Sequence, residues 1–130
     1  MATLKISDLS VGDWVRYRDR EWEVCSIYQF TEEVGLFRKD SQICESIEDI
    51  ESIPITAEIL EKNGFVKNGE YNEWSTGNWD DIPFIGISLS RPSIRIKDLG
   101  TDIFLDNKVV YVHQLQHALR LTGVDKEINL

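Results

Sequence analysis

Two histidines, His113 and His117, stand four residues apart in the run Tyr111-Val112-His113-Gln114-Leu115-Gln116-His117-Ala118-Leu119-Arg120-Leu121-Thr122-Gly123-Val124. On a helix this spacing brings both imidazoles to one face, the arrangement of a two-histidine metal site. Zinc then needs a third ligand and, for hydrolysis, a general base, which a His-Glu-x-x-His pattern carries on the same helix. Here the intervening residues are Gln114, Leu115 and Gln116, and nothing elsewhere marks a third ligand. The competing reading is a helix whose apolar stripe of Val112, Leu115, Ala118, Leu119 and Thr122 faces a core. That stripe leaves His113, Gln116, His117 and Arg120 at its edge or outside it. We adopt this second reading: the two histidines are weak metal candidates, their joint replacement by alanine leaves the fold nearly unchanged, and no cofactor is expected.

Other chemical patterns are sparse. The carboxylate pairs Glu32-Glu33, Glu48-Asp49 and Asp80-Asp81 fall in expected loops, where neighbouring acids usually solvate a turn. The sequence has no Gly-rich phosphate loop, no Gly-x-Ser-x-Gly elbow and no motif-anchored Cys/His/Asn set, so no catalytic residue is assigned. Cys25 and Cys44 lie within expected strands without Cys-x-x-Cys spacing, which reads as two buried, reduced thiols. Trp74 and Trp79 flank a polar stretch that ends in Asp80-Asp81. They either pack across a loop or stand exposed as anchors for a partner, tryptophan being enriched among residues that dominate interface energetics. These four residues form the candidate binding surface.

Charge narrows the partners. The 130-residue chain carries a formal net charge of −9, with −5 in residues 1–50 and −4 in residues 51–130. A surface acidic throughout repels phosphate backbones, which disfavours general nucleic-acid binding. The alternating Trp14, Arg16, Arg18 and Arg20 resemble a basic stripe only in isolation. In a hairpin turning at Asp19-Arg20, Arg16 and Arg18 face Glu23 and Glu21 across the strands, giving a solvated ion-pair face. No apolar run approaches the ~18 residues of a membrane span, and the first residues lack the basic-then-apolar layout of a signal peptide. A cytoplasmic setting is expected.

These groups must be positioned by the elements around them, and the patterning indicates an α+β chain forming a single domain. Residues 8–52 read as a small, curled, SH3-like antiparallel β-module. Its first hairpin pairs Tyr17 with Trp22 and Val15 with Val24, and strands follow over Glu33–Arg38 and Gln42–Ile47. Residues 53–65 hold a short connecting helix with Thr56 as N-cap, Ile55 and Leu60 as a hydrophobic staple, and Gly64 with Phe65 as a Schellman ending. Residues 66–130 read as a β-meander packed on the C-terminal helix. Its expected turns lie at Asn68-Gly69, at Arg91-Pro92 (Leu89 opposite Ile94, Ile87 opposite Ile96) and at Asn107-Lys108 (Leu105 opposite Val110, Phe104 opposite Tyr111). The C-terminal helix is expected to end at Gly123 by the same device as the first.

The segments Pro54–Phe65 and Tyr111–Gly123, with the lead-in Leu9 to Val15, resemble a group of small uncharacterised proteins common in Bacteroidetes genomes, their prophages and other mobile elements. The resemblance implies a bacterial or phage cytoplasmic setting and an accessory role, and it brings no activity, ligand or catalytic residue with it. The leading expectation is a non-enzymatic protein-interaction module with a protein partner. The alternative is a protein that binds or sequesters a small molecule or nucleotide, and a metal-dependent enzyme ranks behind both.

Overall fold

The computed structural model describes residues 4–68, 73–75, 85–89, 93–96, 101–104, 110–122 and 127–130. The chain is α+β and divides into two compact units, Met1–Ile53 and Pro54–Leu130.

The first unit is a four-stranded antiparallel sheet in the order β1 (Trp14–Tyr17), β2 (Arg20–Tyr28), β3 (Glu33–Arg38), β4 (Ser41–Ser46). The first hairpin turns at Arg18-Asp19, both at positive φ (49° and 63°), rather than at Asp19-Arg20. Two successive positive φ values match the right-handed twist of the flanking strands, so backbone twist prevails over the residue types usual for such a turn. Val15 therefore faces Trp22, Arg16 faces Glu21, and Tyr17 faces Arg20. Moving the turn by one residue shifts each partner by two, so every side chain keeps its face. Val15, Tyr17 and Val24 accordingly lie in the core with Leu9, Val34, Leu36, Ile47 and Ile50, as expected from alternation. Tyr17 and Trp22 meet edge to face at 6.5 Å.

A β-bulge at Cys25 interrupts the pairing of β2 with β3: Val24 faces Leu36, and the next pair is Ser26 with Gly35. Bulged residues share a face, so Cys25 and Ser26 both lean over Gly35. A Cβ on residue 35 would collide with the Ser26 hydroxyl and lie 3.3 Å from the Cys25 sulfur. Glycine is required there by close approach. Beyond β4, Ser46 caps a 3-10 turn (Ile47–Asp49) by accepting from the Glu48 N–H at 3.3 Å. The chain then returns to β1, where Arg16 and Glu51 exchange backbone hydrogen bonds of 2.8 and 2.9 Å. Asp13, fully buried, accepts from the Ser10 N–H at 2.7 Å and pins the turn that leads into β1.

The second unit opens with α1 (Ala57–Lys62), whose ends follow the sequence rules closely. The Thr56 hydroxyl accepts from the Ile59 N–H at 3.3 Å. Gly64 takes φ 81°, and the Gly64 and Phe65 N–H groups return to the Glu61 and Leu60 carbonyls at 3.1 and 3.0 Å. Ile55, Leu60 and Phe65 are buried. Asn63 adds a tie that local patterning does not reveal: its amide donates to the Ile59 and Asn129 carbonyls and accepts from the Asn129 N–H, fastening the last residues to the helix end.

The sheet of this unit is antiparallel in the order β5 (Val66–Asn68), β6 (Glu73–Ser75), β7 (Ile85–Ser88), β8 (Ser93–Ile96), β9 (Thr101–Phe104). Asn68, expected in a turn, instead faces Glu73 within the ladder; Gly69 lies outside the described residues. Ile87 faces Ile94 and Ile85 faces Ile96, again two residues from the expected register with the same face inward. Tyr111 pairs with Pro54 and the Val110 carbonyl accepts from the Ile55 N–H, while Phe104 faces Ser93; the expected partner Leu105 lies outside the described residues. The turn residues Pro92 and Asn107 and the expected helix stop at Gly123 and Val124 lie outside the described residues. Finally, α2 (Val112–Thr122) packs over β8.

Candidate functional site

The histidine helix starts where a side chain replaces a missing backbone partner. The Gln114 amide oxygen accepts from the Tyr111 N–H at 2.9 Å, the returning half of a capping box. Along the helix, burial spreads beyond the apolar stripe. Val112, Leu115, Ala118 and Leu119 are buried as expected, but so are His113 at 4 % exposure and Gln116 at 7 %. That corrects the expectation of edge positions for these two residues. His117 is half-buried and Arg120 is exposed. The His113 ring stacks on Tyr111 (centroids 5.9 Å, planes 10° apart) and meets His117 edge-on at 5.8 Å and 70°. Among the described residues, no three His, Cys, Asp or Glu side chains come together to hold a metal ion. In this setting His113 works as a packed aromatic ring.

Trp74 stands within β6 at 7 % exposure, in one cross-strand row with Ile87 and Ile94. Of the two roles open to it, the structure gives it packing. Its candidate partners Trp79, Asp80 and Asp81 lie outside the described residues. The arginine stripe is broken up by the hairpin. Arg16 faces Glu21, while Arg18 leaves the ladder and lies 5.3 Å above the Tyr17 ring.

The cysteines differ from expectation as well. Both are free, but Cys25 is half-buried and Cys44 is exposed. Cys44 lies opposite Gly35 on the far side from the bulge. Partial desolvation and then a hydrogen bond from its thiol to the Glu33 carboxylate (3.5 Å) push its pKa up. Cys25 accepts from the Gln42 amide at 3.6 Å. A thiol held protonated beside a carboxylate is a poor nucleophile at neutral pH.

A site that sequence reasoning missed is the loop between β2 and β3. Tyr28 faces Glu33 across the strands, and Gln29, Phe30, Thr31 and Glu32 make the connection, with Glu32 at φ 55°. Phe30 projects fully into solvent and Tyr28 is half exposed. With Ile27, Gln29 and Thr31 they border an open depression of about 440 Å³. The Ile47 N–H donates to the Glu32 carbonyl at 2.8 Å, which brings the 3-10 turn and its exposed Glu48 and Asp49 beside this loop. No residue from 21 to 37 or from 40 to 61 is lysine or arginine. The only hint in the sequence was a phenylalanine in a short polar run, which alternation leaves unexplained.

No family model, curated protein or solved structure matches the chain. Among the described residues no helix is long and apolar enough to cross a membrane.

Proposed function

We propose that the protein is a non-enzymatic interaction module that engages a protein partner through the β2–β3 end of its first unit. The observation that carries this reading is Phe30, a large apolar side chain left entirely in water beside half-exposed Tyr28. An aromatic ring contributes nothing to folding from such a position, whereas its burial by a partner recovers roughly 25 cal/mol for each Å² covered. Aromatic residues next to a shallow depression are also the usual anchors of protein interfaces. The unit that presents them is an open, SH3-like β-module in this reading. Support comes from the four-strand meander, the 3-10 turn after β4 and the return of Glu51 to β1. Resemblance to proteins of bacterial genomes and mobile elements supports an accessory role in a bacterial cytoplasm.

The test is affinity capture from a bacterial lysate with wild type, Phe30→Ser and a control, Val66→Ser, taken from an exposed position of the second unit. Wild type and control should recover the same proteins and Phe30→Ser should lose them. Identical recovery by all three removes this surface as the interface.

A further inference from the structure

The occupant of the Phe30 surface can be specified from the distribution of charge, granting that this surface is an interface. β2 and β3 run antiparallel, so the β2–β3 loop lies at one end of the sheet and the β1–β2 and β3–β4 turns at the other. β2 and β3 carry basic residues only at the far end, where Asp19 and Asp40 accompany them. Arg18, Arg20, Arg38 and Lys39 belong to the far turns. Glu32, Glu33, Glu48 and Asp49 belong to the loop and to the 3-10 turn bonded to it. β3, from Glu33 to Arg38, places Arg38 and Lys39 about 17 Å from Glu33 at ~3.3 Å per residue, whereas Arg18, over the Tyr17 ring, lies on the side where Asp49 also approaches that ring. The Arg38 and Lys39 separation exceeds the ~8–10 Å over which exposed charges act at physiological salt, so these two do not cancel Glu32, Glu33 and Glu48 at the loop end, while Arg18 offsets Asp49. Phe30 and Tyr28 therefore border an apolar depression in the same loop as Glu32 and beside the turn that carries Glu48.

An acidic rim repels nucleic acid and anionic lipid and discriminates against acidic peptides, while exposed aromatic faces attract cations. We propose that this surface docks a basic peptide segment carrying an apolar anchor. The anchor seats in the depression bordered by Ile27, Tyr28, Phe30 and Thr31, and flanking lysine or arginine side chains reach Glu32 and Glu48. Apolar contact with Phe30 supplies affinity, and charge supplies selection and association rate.

Fluorescence anisotropy with three labelled peptides tests the assignment on the full chain: a lysine-rich peptide with one central tryptophan, the same peptide with alanine at the centre, and the tryptophan peptide with glutamate in place of lysine. The first should bind at least about tenfold more tightly than either of the others. Its affinity should fall as sodium chloride rises from about 0.05 to 0.3 M. Phe30→Ser should abolish the preference for tryptophan, and Glu32→Gln with Glu48→Gln should weaken binding and flatten the salt dependence. All three side chains are exposed, so thermal melts of the variants should match wild type. Equal binding of the acidic peptide, no binding of the first peptide, or indifference to Phe30→Ser overturns the proposal. So does concentration-dependent self-association, followed by sedimentation, that is lost in both Phe30→Ser and an Arg38→Ser, Lys39→Ser variant, because the occupant is then the basic end of a second copy. If the peptides show no charge preference while capture from lysate still depends on Phe30, the partner chemistry fails and the interface stands. If Phe30→Ser changes neither measurement, both fail.

Discussion

Gly35 shows how much a single position can depend on a neighbour distant in sequence. The bulge at Cys25 and Ser26 leans two side chains over it, and any Cβ there meets Ser26. Gly35→Ala should destabilise the protein by about 1–3 kcal/mol, as overpacking of a tight contact does, measured by urea denaturation. Ser26→Gly should recover part of that loss in the double variant while adding little by itself, a coupling expected of residues in contact. Cys44 offers a second reading at this scale. Desolvation and Glu33 raise its pKa, so its thiolate forms only at higher pH than that of an ordinary thiol. Its alkylation by iodoacetamide should be slow at pH 7 and rise along a profile displaced to alkaline pH. Glu33→Gln removes a carboxylate that disfavours the thiolate, so the profile should move back down; an unmoved profile would show that Glu33 has no part in the shift. Tyr17 is raised in the same direction, first by burial and also by its hydrogen bond to Glu45, which keeps the phenol neutral in the folded chain.

The elements divide according to how locally their ends and faces are determined. The cap and Schellman ending of α1 were legible, because they use residues within ten positions of one another. Both hairpins that could be compared kept the expected faces and lost the expected register. A face depends on alternation, which survives a shift of two, whereas register depends on turn geometry, which residue type states weakly. α2 was legible as a helix and misread around its circumference. Apolarity marked Leu115 and Leu119, and either changed to alanine should cost about 2–5 kcal/mol. The structure adds His113 to the buried set, so His113→Ala should cost about 2 kcal/mol or more, while His117→Ala should stay within about 1 kcal/mol. Thermal or denaturant unfolding of the single variants separates the two histidines; equal, small effects would return His113 to the helix edge. The double variant, expected from sequence to fold unchanged, should now show the His113 penalty.

At the scale of the whole molecule the dominant number is the net charge of −9. Like charges spread over a small surface repel in the compact state, and salt screens that repulsion. The melting temperature should therefore rise modestly between about 0.02 and 0.3 M sodium chloride; a fall would show that attractive pairs outweigh the net repulsion. The division into Met1–Ile53 and Pro54–Leu130 follows the sheets, each unit with its own antiparallel ladder.

Composition and patterning by themselves determined the α+β class, the inward faces of the compared hairpins and both helices, since these depend on residues close in the chain. The candidate site was not legible in the same way. Trp74 and His113 carried the residue types of binding and chemistry, and both proved to be buried packing groups. Of the histidine pair, His113 stacks on Tyr111 and His117 meets it edge-on. Phe30 carried no motif at all, yet among the described aromatics it is left entirely in water. Burial is the sum of contacts from every element that approaches a side chain, and those approaches are set by pairings between strands and helices far apart in sequence. Only the tertiary structure could decide which aromatic faces a core and which faces solvent.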